Sequence, residues 1–194
     1  LEDARLESHL RPHSFIVPRS KQEELITVPT IIKDIRARNP DLDERQAAAY
    51  AAKACKCAKK LYAILAYIKK GAEICSLLDE GISDEDLPLK RVPNAKSRFA
   101  LYRQTGERIH TLEAWKEKYL ENFDRVQWWM TSPVFKEQEH YELDDKTILP
   151  FIHFESTPDA NGKTQGAYSE VYPVHIHPAH HEFGTTSESK VWQV

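Results

Sequence analysis

Residues 162–172 read Gly-Lys-Thr-Gln-Gly-Ala-Tyr-Ser-Glu-Val-Tyr, and no other stretch carries so specific a chemical signal. Glycines in a turn ahead of a strand let backbone N–H groups approach phosphate oxygens. An aromatic residue then closes the loop tip, and a valine just beyond packs on adenine. Against the pattern G-x-G-x-[FY]-G-x-V, Gly166, Tyr168 and Val171 match, while Thr164 and Ser169 occupy the first and third glycine positions. The predicted nucleotide contacts are Gly166, Ala167, Tyr168, Ser169 and Val171. The same residues also describe an ordinary glycine turn before a strand, a common feature that needs no ligand.

Histidines form the second constellation. Five of the nine follow residue 140, including His175-x-His177 and the adjacent His180-His181. Residues two apart on a strand face the same side, and imidazole binds zinc readily, so a histidine-dependent metal binder is one reading. A convincing site needs three or four ligands with supporting hydrogen bonds, so a strand end with imidazoles in turns is the plainer reading and no metal ligand is assigned. Cys55-x-Cys57 falls in a predicted helix, where positions two apart diverge. The acidic pairs Asp144-Asp145 and Asp84-Glu85-Asp86 stand before predicted element starts, where carboxylates stabilise turns and helix ends. No Gly-x-Ser-x-Gly elbow is present and no Cys–His arrangement is indicated by spacing, so no catalytic residue is assigned. Trp128-Trp129 is read as core, and Lys53, Lys56, Lys59 and Lys60 as the solvated face of a long helix.

The elements that would position these residues divide the chain near residue 140. Residues 1–140 hold 24 Lys+Arg and 22 Asp+Glu, whereas residues 141–194 hold 3 and 8 and three of the six glycines. The pattern predicts an α+β chain: a partly ordered tail over 1–21, docked at best through Phe15-Ile16-Val17, a helical domain over 22–140, and an incomplete antiparallel β segment over 141–194. Within the helical part, residues 22–38 read as a helix interrupted at Pro29. A long helix is predicted over 42–70, capped by Asp41 or Asp43, with Ala54, Ala58, Leu61, Leu65 and Ile68 on one stripe. Gly71 ends it or turns into a short helix carrying Ile74, Leu77 and Leu78, which Gly81 closes. Ser83 to Asp86 could cap one more turn. Residues 89–98 read as loop, and 99–102 as a short strand or apolar turn. Trp115, Tyr119, Phe123, Val126 and Met130 share one face of a helix over 112–130. Beyond Pro133, residues 147–154 enter a strand, 156–166 form a turn cluster, and 170–177 alternate as a strand that Pro173 makes edge or bulged. Residues 191–194 open a third strand.

Composition narrows the function classes. With 41% hydrophobic and 29% charged residues the chain belongs with folded proteins. No apolar run approaches the roughly 18 residues of a membrane span, and no basic patch followed by an apolar core marks a secretory signal. A net charge of −3 argues against a general nucleic-acid binder. Three cysteines do not make a disulfide framework, and an intracellular home, cytoplasm or nucleus, is expected. The Leu1 start is read as that of a fragment.

Taken in order, several blocks resemble a known family. They are Lys60 to Leu65, Glu80 to Leu89, Gln127-Trp128-Trp129 through Ser132-Pro133-Val134-Phe135, and His140 to Asp145 through Ile148-Leu149-Pro150-Phe151. The last runs from Gly166 to Tyr172 with His175 to His181. The chain resembles the N-terminal part of filamentous-fungal serine/threonine protein kinase-like proteins, in which a helical region precedes the kinase domain. The resemblance implies that residues 151–166 approach the first strand of the kinase small lobe and its glycine-rich loop, that 171–177 form the second strand, and that 191–194 begin the third. The implied function is ATP-dependent phosphoryl transfer to protein Ser/Thr in a longer parent, with Mg²⁺. On this resemblance the phosphate-pairing lysine and the catalytic and metal-binding aspartates follow Val194, so the chain alone is expected to be inactive and to bind ATP weakly. Thr164 and Ser169 depart from the glycine pattern and weaken the expected hold on phosphate. The implied partner is the remainder of the kinase domain or another protein. The alternative is a non-enzymatic helical interaction module with a vestigial nucleotide loop.

Overall fold

The structure, a computed structural model, describes the chain except residues 9, 95–97, 155–163, 167–168, 172, 184–191 and 194. For residues 153–154, 164–166, 169–171, 173 and 192–193 it describes the backbone alone. From the N-terminus, β1 (Leu6–Glu7) and β2 (Phe15–Ile16) precede α1 (Arg19–Leu25), α2 (Val28–Arg38), α3 (Glu44–Cys57) and α4 (Lys59–Tyr67). A 3₁₀ turn (Gly71–Glu73) leads into α5 (Ile74–Asp79), and a second (Asp84–Asp86) into β3 (Lys90–Pro93) and β4 (Phe99–Tyr102). Then come α6 (His110–Glu113), α7 (Glu117–Met130), β5 (Phe151–Phe154), β6 (Thr164–Gly166), β7 (Ser169–Val171) and β8 (Pro173–Ile176). A last 3₁₀ turn (Pro178–His180) is followed by β9 (Trp192–Gln193). The chain is α+β, its strands pairing antiparallel as β1–β2, β3–β4, β6–β7 and the three-stranded order β5-β8-β9.

Several helix starts follow from local sequence. Thr27 and Thr30 form a reciprocal capping box ahead of α2, and Asp43 and Gln46 do the same for α3. Pro29 does not interrupt a helix, as its position in the sequence suggested; it lies in the first turn of α2, where its missing N–H costs nothing. The break falls instead at Ile26 and Thr27. The long helix expected over 42–70 is also two helices, parted at Ala58, whose backbone leaves the helical region at φ −144°, ψ 35°. The Asp84 carboxylate compensates this break by accepting the freed N–H groups of Lys60 (3.0 Å) and Leu61 (2.8 Å). Residues 89–98 are not all loop: β3 pairs with β4 from Lys90↔Tyr102 to Pro93↔Phe99. The helix expected over 112–130 is divided into α6 and α7.

The core forms around α4, whose Leu61, Tyr62, Ala63, Ile64 and Leu65 are all buried. It packs against α7, where Leu120, Phe123, Val126 and Met130 face inward, and against α5 through Ile74, Leu77 and Leu78. On α3 the buried face consists of Ala47, Ala51 and Ala54, and these small side chains let it lie against α2 at Ile31 and Ile35. The first residues join this core. Ile16 and Val17 are buried, and the last carbonyls of α7 accept hydrogen bonds from Val17 and from α1. Val17 N–H donates to Trp129 O (2.9 Å), and Gln22 Nε2 to Met130 O (3.2 Å) and Val17 O (2.8 Å).

Gln127 is fully buried on α7, and its amide pairs with the Leu89 backbone as a neighbouring strand would. Leu89 N–H donates to Oε1 (2.7 Å), and Nε2 donates to Leu89 O (3.1 Å) and to Asp124 Oδ1 (3.0 Å). Gln127→Ala strands both backbone groups and opens a cavity, so it is expected to lower the unfolding free energy by roughly 3 kcal/mol. Urea denaturation checks this, and a loss below about 1 kcal/mol would show that water replaces the amide.

Candidate functional site

The predicted nucleotide loop falls on a hairpin. β6 and β7 pair with Thr164 opposite Val171, Gln165 opposite Glu170 and Gly166 opposite Ser169. Gly166 therefore ends one strand and Ser169 begins the next, with Val171 at the open end of the ladder. Ala167 and Tyr168 lie outside the described residues, as does most of the turn cluster before Thr164. A second sheet takes part of each of the three expected strands, Phe151 opposite Ile176 and Val174 opposite Trp192. The strand expected over 170–177 is divided between β7 and β8, however, and β6 occupies the end of the turn cluster expected over 156–166. Pro173 does not put β8 at an edge. β8 is the middle strand, and the proline is tolerated because it is the first residue of that strand. The irregularity lies on its β5 side, between Phe151 and His153.

The histidines after β8 hold backbone. His177 precedes the last 3₁₀ turn and its Nδ1 accepts from Ala179 N–H at 3.1 Å. His180, only 2% exposed, lies between two distant segments: Nε2 accepts the first N–H of α1, that of Arg19 (3.2 Å), and Nδ1 lies 2.8 Å from Pro133 O. With Nε2 accepting, Nδ1 must carry the proton, so the ring is neutral. Burial pushes the pKa of His180 down, and the charges of Lys60 and Arg19 press the same way, against the Pro133 carbonyl, which favours the cation. Burial and His181 also lower that of His177. On either side of His181 the backbone pairs with residue 135: Phe135 N–H donates to His180 O (2.9 Å) and Glu182 N–H to Phe135 O (2.8 Å). Among the described residues no group of three or more His, Cys, Asp or Glu is placed to hold a metal. Burial raises the Cys55 thiol above its ordinary value and pushes Cys75 up to about 11, so neither is an activated nucleophile.

A third feature has no counterpart in the sequence reading. An open groove of about 670 Å³ runs between the β1–β2 hairpin, α7 and the segment around Lys146. Arg5 stacks on Phe15 with its guanidinium carbon 4.4 Å from the ring centre, and donates to the Tyr67 hydroxyl at 3.0 Å. Arg125 lies over Trp129 (5.4 Å), and Lys146 over Trp128 (5.8 Å). Trp129 is core, as expected, but Trp128 is half-buried and lines the groove. The contributing residues lie between positions 5 and 148, so no local motif announces them.

No protein-family model, curated protein or solved structure matches the chain. Among the described residues no helix is long and apolar enough to cross a membrane.

The neutral His180 sets a pH dependence. Its folded pKa lies below the ordinary histidine value of 6.5, so the unfolded chain takes up the proton first as pH falls. The stabilisation is complete above about 6.5 and is lost as pH drops through the folded value. Urea midpoints are expected to fall between pH 7.5 and 5.5, and the fall should shrink in His180→Gln. His180→Ala at pH 7.5 should cost roughly 2–3 kcal/mol, from the unpaired Arg19 N–H and Pro133 carbonyl.

Proposed function

We propose that residues 151–194 open the ATP-binding lobe of a serine/threonine protein kinase-like protein, and that the helices ahead of them form the body on which this lobe is mounted. The observation that carries the reading is the register of the β6–β7 hairpin. Gly166 and Ser169 face each other across a two-residue connection, the place at which a phosphate-cradling loop needs small residues. The antiparallel succession β5-β8-β9 supports it, because the three segments expected as consecutive strands neighbour one another.

In this reading the backbone N–H groups around Gly166 to Ser169 donate to phosphate oxygens, Tyr168 shields them from water, and Val171 lies against the adenine. ATP with Mg²⁺ supplies the transferable phosphoryl group. The residues that bind the metal and orient the acceptor hydroxyl belong to sequence after Val194. The helical body meets these strands at His180, and it fixes the segment leading into them through Ser132 Oγ, which donates to Ile148 O (2.7 Å), and Ser8 Oγ, which donates to Leu149 O (3.3 Å).

The reading frame beyond codon 194 tests this first. It is expected to continue into a Val-Ala-x-Lys strand and later into an His-Arg-Asp-type loop; a stop codon in the native transcript overturns the proposal. A chain extended through those motifs should bind ATP–Mg²⁺ in a calorimetric titration. Gly166→Val, which adds a branched side chain at the phosphate-facing turn, should weaken that binding about tenfold or more.

A further inference from the structure

The groove beside α7 holds more positive charge than its own acids balance. Two carboxylates line it, and both are engaged: Asp124 pairs with Arg91 at 3.0 Å, and Glu121 approaches Arg98 at 3.8 Å. Among the described residues, no carboxylate lies within ion-pair distance of Arg5, Arg11, Arg125 or Lys146. Four cations without a carboxylate partner around one groove stand out in a chain whose net charge is −3. Three of them lie over aromatic rings, and Arg5 and Arg125 each commit one donor, to Tyr67 Oη and to Asn122 Oδ1 (3.0 Å each). This restrains the side chains while the other N–H groups of each guanidinium can meet an oxyanion. Arg11 is steadied differently, by donating to the carbonyl of Asp145.

We infer that this groove binds an acidic peptide segment of a partner protein, whose carboxylate or phosphate oxygens pair with Arg5, Arg11, Arg125 and Lys146 while an apolar side chain rests on Trp128. Guanidinium groups take such oxygens through two parallel hydrogen bonds. The groove is open along its length, whereas pockets for small molecules enclose most of the ligand. A chain passing through it fits better than a free metabolite. A nucleic acid fits less well, because four cations are few for a phosphate backbone and the remaining surface repels it. The inference rests on the groove alone and is independent of the nucleotide hairpin.

Fluorescence anisotropy on the full chain tests it with three short labelled peptides of equal length: one of alternating Glu and Asp, one carrying phosphoserines, and one of Gln and Asn. Either acidic peptide is expected to bind at low salt, to weaken as salt rises and to change tryptophan emission, while the neutral peptide does not bind. Tighter binding of the phosphoserine peptide assigns the groove to phosphate, and equal binding assigns it to carboxylate. The double variant Arg125→Glu/Lys146→Glu, at two exposed positions, should lose about tenfold or more in affinity. Its melting temperature should match that of the parent; if it does not, Arg125→Gln/Lys146→Gln is used instead, with the same expected direction. The inference is overturned if neither acidic peptide binds, if the charge variants bind as well as the parent, or if single-stranded RNA or phosphatidylserine vesicles bind more tightly than both peptides.

Discussion

Each helix begins with backbone N–H groups that no residue of its own can satisfy, and the way this chain meets that requirement governs much of its architecture. Two helices, α2 and α3, carry local capping boxes. Three others are completed from far away. Asp84 accepts from the first turn of α4, His180 from the first residue of α1, and Glu80 from His110 N–H (2.8 Å) and Thr111 N–H (2.6 Å) at the start of α6. Burial alone would raise the Glu80 carboxyl, but the hydrogen bonds from Thr111 and His110 hold it below the ordinary value. Asp84 is the opposite case: burial outweighs the N–H groups it accepts and its pKa rises. A side chain that caps a remote helix also locks two segments together, so these contacts act as both caps and tertiary ties.

The division between local and remote satisfaction accounts for what could be read from the sequence. The cap at Asp43, the turns at Gly71 and Gly81 and the short turn after Ser83 are all encoded within a few residues and stand where capping and turn rules put them. The residues of the apolar stripe from Ala54 to Ile68 are buried as periodicity requires, although on two helices instead of one. The break at Ala58 was invisible because the group that compensates it is Asp84. Strand β3 was read as loop because it contains a proline and two charged residues. It persists because β4 and the Gln127 amide satisfy its surroundings. In the candidate site, alternation marks a strand around 170–177 but not its division between β7 and β8, because the pairing of β7 with β6 is set by the turn between them. The basic groove was not, since it is assembled from the N-terminal hairpin, one face of α7 and a loop past residue 140.

By residue type the C-terminal histidines allowed a metal but read more plainly as imidazoles in turns at a strand end. In place, His177 caps the last 3₁₀ turn, and His180, buried rather than on the surface, joins the two halves of the chain. A neutral imidazole suits that position because it offers one donor and one acceptor on opposite sides of a small ring, which neither an amide nor a carboxylate reproduces at the same reach. The helical body and the strands are thereby coupled through a buried group as well as through backbone pairing at Phe135.

The docking of Val17 and Gln22 on the last turn of α7 has a consequence for biosynthesis. Val17 and Gln22 leave the ribosome well before their acceptors at Trp129 and Met130, which lie more than a hundred residues later in the chain. Until those carbonyls emerge, Phe15, Ile16 and Val17 have no surface to cover them. An early-exposed apolar stretch that must wait for its partner is a natural target for chaperones acting on nascent chains. This segment is therefore made long before α7 and reaches its final place only after it.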